Sequence, residues 1–238
     1  MRVLVVQNFD NTGLGQVATA LTEAGLEADV RRPYRGEPLP AGIGEHAALV
    51  VLGGEQNALD DAKCPYYPEL LQLIRAYSSA DGAVLGICLG AQLMARAFGG
   101  ENLLGAAPEF GWREVELTEE GRADAVMRSL PGRFPIFEWH DDTFTLPSGA
   151  VRLAASGSAP NQAFRVGRAA YGMQFHFEAD RRLVGEWNGV FAEYLARRQP
   201  GWPERHPAEA VRHGPAADAA GLAIARAWAG LIGGRRPT

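Results

Sequence analysis

The chain has 238 residues, enough for one or two domains and a sizeable core. Hydrophobic residues make up 47% and charged residues 21%, which excludes a chain that is disordered as a whole. A net charge of -5 argues against a nucleic-acid surface, and no apolar run approaches the roughly 18 residues of a membrane span. Met1-Arg2-Val3-Leu4-Val5-Val6 enters a strand pattern at once, without the apolar region and cleavage site of a signal peptide. A cytoplasmic location is therefore expected, where Cys64 and Cys88 would be free thiols. Cys64 precedes Pro65 in a loop-like stretch and reads as an incidental thiol.

In chain order, residues 2–7 read as a buried strand and about 14–25 as a helix with Val17, Ala20, Leu21 and Ala24 on one face. Leu26 to Val30 is a second strand, Pro33 to Gly44 a loop, and Ala47 to Leu52 a third strand ending at Gly53-Gly54. Tyr66, Leu70, Leu73, Ile74 and Tyr77 mark the next helix, and Ala83 to Ile87 a fourth strand. Nearly all-apolar strands alternating with helices predict a parallel sheet covered on both faces. After Gly100 the rhythm changes to short strands: Trp112 to Leu117, Phe134 to Trp139, Val151 to Ala155, Gln162 to Val166 and Ala169 to Phe175. These are expected to pair antiparallel and to extend or flank the main sheet. A helix follows over about 180–197. Gln199 to Pro215, rich in Pro and Gly, reads as a surface loop, and about 217–232 as a last helix. The expected organisation is one domain over 1–198, with 199–238 packed on it.

The chemistry centres on Gly86-Ile87-Cys88-Leu89-Gly90. A nucleophile between two glycines at a strand-to-helix turn is a nucleophile elbow, here with Cys in place of Ser. The turn is tight, so neighbouring side chains would clash, and the following helix points its positive end at the sulfur. A thiol nucleophile needs a base. Five histidines are available, and His176 stands in Gln174-Phe175-His176-Phe177-Glu178. Read as a strand end, positions i and i+2 share a face, so Glu178 can reach the His176 ring and fix its tautomer. An acyl transfer also needs oxyanion donors. The Leu89 N–H follows the nucleophile, and the Gly53-Gly54 turn lets a second backbone N–H approach. His46, His206 and His213 are expected to be solvated. His140 reads as packing or hydrogen bonding at the pocket rim, and Trp112, Trp139, Trp187 and Trp228 as core or interface. Gly13-Leu14-Gly15-Gln16-Val17-Ala18 fits a dinucleotide fingerprint, but Asn8 to Thr12 makes the loop too long for its tight turn. No Cys/His or carboxylate cluster has metal-ligand spacing, so neither metal nor cofactor is expected.

Gly86-Ile-Cys-Leu-Gly-Ala-Gln92, the strand ending in Gly53-Gly54, and Gln174-Phe-His-Phe-Glu178 resemble the class I, triad-type glutamine amidotransferases. The resemblance spans about residues 1–195, with the motifs in family order. It implies a flavodoxin-like three-layer α/β sandwich: a mostly parallel sheet flanked by helices, with a small antiparallel extension. It implies hydrolysis of the glutamine γ-amide through a thioester. Cys88 would be the nucleophile, His176 the base and Glu178 its orienter, with Gly54 and Leu89 as oxyanion donors. Gly53, Gln92, His140 and Asp141 would contact the substrate. Phe177 stands where the family commonly has Pro, and Asp141 where Gly is frequent. A separate synthetase would receive the ammonia, since the chain leaves no room for one. A γ-glutamyl peptidase or hydrolase is the alternative with the same acyl chemistry, and a non-catalytic regulatory module the alternative from another class. A thiol-elbow peptidase or chaperone would carry a His immediately after the Cys, where this chain has Leu89. Neither the ammonia acceptor nor the oligomeric state is legible.

Overall fold

The structure is a computed structural model and describes residues 1–233. Strand β1 (Arg2–Val6) leads to helix α1 (Gln16–Glu23), strands β2 (Glu27–Arg31) and β3 (His46–Val51), helix α2 (Tyr67–Ser79), strand β4 (Ala83–Ile87) and helix α3 (Leu89–Ala97). The short-strand half follows: β5 (Asn102–Leu103), β6 (Glu109–Leu117), α4 (Glu119–Ala123), β7 (Arg133–His140), β8 (Thr143–Phe144), β9 (Val151–Ala155), β10 (Ala163–Val166) and β11 (Ala170–Met173). Helices α5 (Arg181–Val190), α6 (Ala192–Arg198) and α7 (Trp202–Ala229) end the chain.

Strands β2-β1-β3-β4-β11 lie side by side in that order and run parallel. With β11 as the fifth parallel strand, this is the 2-1-3-4-5 order of the flavodoxin-like fold. Strands β10, β9, β6 and β7 continue the same sheet antiparallel. A separate two-stranded pair, β5 and β8, completes the strands.

Alternation along each strand sorts the core into two layers. Val3, Val5, Ala48, Val50, Leu85 and Ile87 face the side covered by α1, α5 and α7. Leu4, Val6, Leu49, Val51 and Val84 face the side covered by α2 and α3. The inner parallel strands β1, β3 and β4 are thus apolar on both faces, which is why their runs in the sequence are nearly unbroken, while the edge strand β2 is polar and half-exposed. Cys64 lies in the loop before α2 as expected, but it is buried: it is 2% exposed and packs in the second layer. His46 is buried too, its Nε2 2.9 Å from Asp29 Oδ2, because the β1–β2–β3 register brings the two strand ends together.

The segment Gln199 to Pro215 departs most from the sequence reading. Instead of a loop, its residues 202–215 form the first half of a 28-residue helix, α7, which carries Pro207 and Pro215 inside. Each internal proline removes one helical hydrogen bond and costs about 3 kcal/mol in an isolated helix. Tertiary burial outweighs that cost: Trp202, Ala217, Ala220, Ile224, Ala225 and Trp228 are buried against the sheet and α1. The expected helix over 180–197 is broken at Phe191, whose backbone (φ -105°, ψ 23°) ends α5 and opens α6. No helix among the described residues is long and apolar enough to cross a membrane.

Helix α7 also approaches the end of the sheet closely. A Cβ on Gly221 would land on the Phe177 carbonyl oxygen and on the Gln16 side-chain amide. Gly221→Ala should therefore destabilise the fold by about 1–3 kcal/mol, the usual range for overpacking a filled site. Denaturant unfolding checks this, and an unchanged midpoint would show that α7 can move away freely.

Candidate active site

Strand β4 ends at Ile87, and Cys88 caps the N-terminus of α3 with φ 51° and ψ -109°. Positive φ is rare for a residue with a side chain. Here it is imposed from both sides. A Cβ on Gly86 would lie 2.5 Å from the Gly90 carbonyl oxygen, and one on Gly90 would fall on the Val51 carbonyl oxygen. The Cys88 N–H donates to Met173 O at 2.8 Å, tying the elbow to β11. The sulfur is 3.7 Å from Trp139 O and the residue is 7% exposed.

His176 and Glu178 do not continue β11 as a strand. The chain leaves the sheet after Met173, and Ala179 N–H turns back onto His176 O. The pair meets nonetheless, across this turn rather than along one strand face: His176 Nδ1 is 2.7 Å from Glu178 Oε1. His176 N–H donates to Phe137 O at 2.8 Å, and the edge of the imidazole packs on Trp187 with centroids 5.3 Å apart. Burial by itself disfavours the imidazolium. The Glu178 carboxylate and then the Cys88 sulfur reverse that, and His176 holds its proton well above the usual range.

The Gly15 motif has a structural task at this turn. A Cβ there would land on Glu178 O, and the Gln16 N–H at the start of α1 donates to that same oxygen at 2.8 Å. The Gln16 side chain donates to Phe177 O at 3.0 Å. The glycine run that imitates a dinucleotide fingerprint thus lets α1 cap the turn bearing Glu178.

A cleft of about 360 Å³ opens over Cys88 and His176. Gly53 lies beneath it: a Cβ there would be 3.4 Å from His176 Cε1 and 3.6 Å from Cys88 Cβ. Gly54 and Leu89 line the cleft beside the sulfur. Asn8 fixes this turn, donating to Leu52 O at 2.7 Å and accepting from Tyr66 OH at 3.0 Å, while Gln56 donates to Asn8 O. Gln92 reaches the cleft from α3 and donates to Asp142 O and Gln174 Oε1. Asp141 is exposed at the rim and pairs with Arg198 of α6 at 2.7 Å. An aromatic wall of Phe9, Trp139, Trp187, Phe191 and Tyr194 closes the other side.

Comparison with known proteins gives the family. The glutamine amidotransferase class-I family profile matches residues 7–186. The chain belongs to the class-I glutamine amidotransferase family. This amidotransferase-family chain has near-complete structural counterparts. A glutamine amidotransferase of Methylobacillus flagellatus superposes with a TM-score of 0.87 at 29% identity, covering 100% of this chain and 96% of that one. One from Thermotoga maritima gives 0.84 at 28%, covering 96% and 98%. In sequence, the glutamine amidotransferase-like protein YfeJ of Salmonella typhimurium is 32% identical over 75% of this chain and 76% of its own. A glutamine-hydrolysing GMP synthase subunit of Pyrococcus abyssi is 34% identical over 48% of this chain and 61% of its own. The match to the GMP synthase of Aeropyrum pernix, at 29% identity, covers 77% of this chain but only 34% of that enzyme.

His140 lines the same cleft and is tied to two buried carboxylates. Its Nδ1 is 3.0 Å from Asp142 O, and its Nε2 faces Glu138 and Glu109, all three residues being buried. Burial pushes the Glu138 carboxyl up to about 7. Burial also disfavours a charged His140, but the Glu109 and Glu138 carboxylates outweigh it and carry the ring up to about 10. Sequence spacing gives no sign of this trio. Glu109 is supplied by the neighbouring strand, where it pairs directly with His140, and Glu138 lies two residues back on the same face.

The two thiols differ in surroundings, and the difference can be read chemically. A small alkylating reagent should modify Cys88 in the native protein and Cys64 only after unfolding, as mapped by peptide mass. Native labelling confined to Cys64 would mean that the cleft does not admit reagent to the elbow.

Proposed function

We propose that the protein hydrolyses the γ-amide of glutamine to glutamate and ammonia through a thioester on Cys88. The observation that carries this reading is the alignment of Glu178, His176 and the strained Cys88 elbow at the floor of one cleft. In this mechanism the Cys88 thiol passes its proton to His176, the sulfur attacks the amide carbon and a C–S bond forms. The oxygen that becomes negative is received by the Gly54 and Leu89 N–H groups. His176 then gives its proton to the leaving nitrogen, the C–N bond breaks, and ammonia departs. Water attacks the thioester, His176 takes a proton from it, and glutamate leaves as the sulfur is restored. Glu178 holds the imidazole orientation and stabilises its charged form. Gly53, Gln92 and Asp141 shape the substrate side, and His140 acts from behind the wall by holding Asp142.

The likeness to the GMP synthase subunit of Pyrococcus abyssi supports a separate synthetase as the receiver of the ammonia. A second reading draws on a different observation. The wall of Phe9, Trp139, Trp187, Phe191 and Tyr194 lays aromatic rings along one side of the cleft, a surface on which an apolar leaving group would pack. It favours a γ-glutamyl peptidase or hydrolase whose leaving amine carries an apolar or aromatic group. A panel of γ-glutamyl compounds, with glutamate and ammonia release both measured, separates the two: ammonia from glutamine supports the first, and a preference for aromatic γ-glutamyl amides supports the second. No glutamate release from any member would overturn both.

Cys88→Ala should abolish turnover without unfolding the protein. Residual activity within tenfold of the unmodified enzyme would indicate another nucleophile. Glu178→Gln keeps the shape and removes the charge. Because a thiol is already a good nucleophile, the expected loss in kcat is on the order of ten- to a thousandfold, below the roughly 10⁴ seen when a serine triad loses its acid. The pH profile adds a sign. Glu178 raises the His176 pKa, so its removal lets the imidazolium lose its proton at lower pH. The alkaline limb of kcat/KM should move down in Glu178→Gln, and an unmoved limb would show that the carboxylate does not act on His176.

A further inference from the structure

The trio behind the cleft wall has the form of a ligand set. Strands β6 and β7 pair antiparallel with Glu109 opposite His140, and Glu138 projects from the same face of β7. One atom from each, a carboxylate oxygen or His140 Nε2, lies within 4.8 Å of the other two. Exposure is 8% at Glu109, 0% at Glu138 and 5% at His140. The polar accounting does not close by hydrogen bonds alone. Neither oxygen of Glu138 has a hydrogen-bond partner among the described residues, and neither has His140 Nε2. A carboxylate buried without a hydrogen bond costs several kcal/mol, so these atoms call for a cation: the proton that His140 holds, or a metal ion that replaces it.

The distances indicate what it is. His140 Nε2 lies 3.2 Å from Glu138 Oε2 and 3.4 Å from Glu109 Oε2. A charge-assisted N–H···O bond is about 2.7–2.9 Å, so both separations are long for a shared proton. Ligand atoms about 2.0–2.1 Å from a tetrahedral zinc ion are about 3.3–3.4 Å from one another, which matches them. The outer partners fit as well. His140 Nδ1 faces Asp142 O at 3.0 Å, which directs the Nε2 lone pair inward. Glu109 Oε2 accepts from Ser156 Oγ at 2.8 Å and Gln162 Nε2 at 2.6 Å, which fixes its carboxylate.

We infer that Glu109, Glu138 and His140 form a buried site for a divalent transition-metal ion of the zinc class. His140 Nε2, one Glu109 carboxylate oxygen and Glu138 Oε2 supply three ligands, and a water completes four-coordination. One imidazole and two carboxylates suit Zn²⁺ and Co²⁺ better than Ca²⁺ or Mg²⁺, which take oxygen ligands in larger number. His140 and Glu109 border surface clefts but are mostly buried, and the ion has a structural task. It fastens the β6–β7 pair and, through His140 and the Asp142 carbonyl, the wall to which Gln92 is bonded.

The test uses the full chain carrying Cys88→Ala, so that the cleft thiol cannot act as a ligand. Chelator-treated protein is titrated with Co²⁺, followed by visible absorption and by thermal unfolding. One equivalent should bind with the absorption of a tetrahedral nitrogen–oxygen site and no thiolate charge-transfer band, and Tm should rise with metal concentration. Adding Glu138→Gln should weaken binding by more than the 10- to 100-fold that loss of an outer partner costs. Glu109→Gln should do the same, and it decides the matter if Glu138→Gln does not fold by circular dichroism. Absence of stoichiometric binding by the parent protein, or equal binding by the folded variants, overturns the proposal.

Discussion

Everything at this site depends on the backbone of one residue, Cys88. Its φ of 51° costs on the order of 1–3 kcal/mol relative to an ordinary conformation. Such strain persists only where the surroundings leave no other path. Gly86 packs against the Gly90 carbonyl and Gly90 against the Val51 carbonyl, so β3, β4 and the start of α3 meet backbone to backbone. The bond from Cys88 N–H to Met173 O adds β11 to the same knot. Four elements therefore converge within one turn of the sulfur. Displacing any of them would move the sulfur relative to His176, which rides on the chain just beyond β11.

Around that knot the molecule uses buried polar groups to fix loops that would otherwise be free. Asn8 is fully buried and spans the turn after β1, the Leu52 carbonyl and Tyr66. Gln92 and Gln174 meet beneath the cleft wall. Gln16 and its backbone N–H hold Phe177 O and Glu178 O from α1. Each bond contributes only about 0.5–1.5 kcal/mol net, but leaving one of these buried groups unpaired costs more. The network thus acts as a set of penalties against other loop conformations, and it keeps the Glu178 carboxylate on His176.

Helix α7 links the far end of the chain to this region. Its Gly221 rests on the Phe177 carbonyl, and Trp202 packs edge-on against Phe110 and at a tilt against Phe137 beneath the antiparallel strands. Its packing covers the sheet face that α1 and α5 leave open. The prolines within it are tolerated because the hydrophobic contacts along its length, not local propensity, hold it in place.

The sequence by itself determined the elements that local chemistry encodes. Unbroken apolar strands announced a doubly covered parallel sheet, Gly86 and Gly90 announced the elbow around Cys88, and the His176–Glu178 spacing announced an imidazole paired with a carboxylate. These are short-range patterns, legible because the physical reason lies within a few residues. Tertiary structure decided the rest. It brought Glu178 to His176 by a turn capped from α1, where the pattern suggested a strand, because the partner of that turn lies at Gly15. It made a helix of the proline-rich segment, because the burial of Trp202, Ile224 and Trp228 depends on a sheet formed elsewhere. It buried His46 on Asp29 and brought Glu109 to Glu138 and His140, because strand register joins residues far apart along the chain.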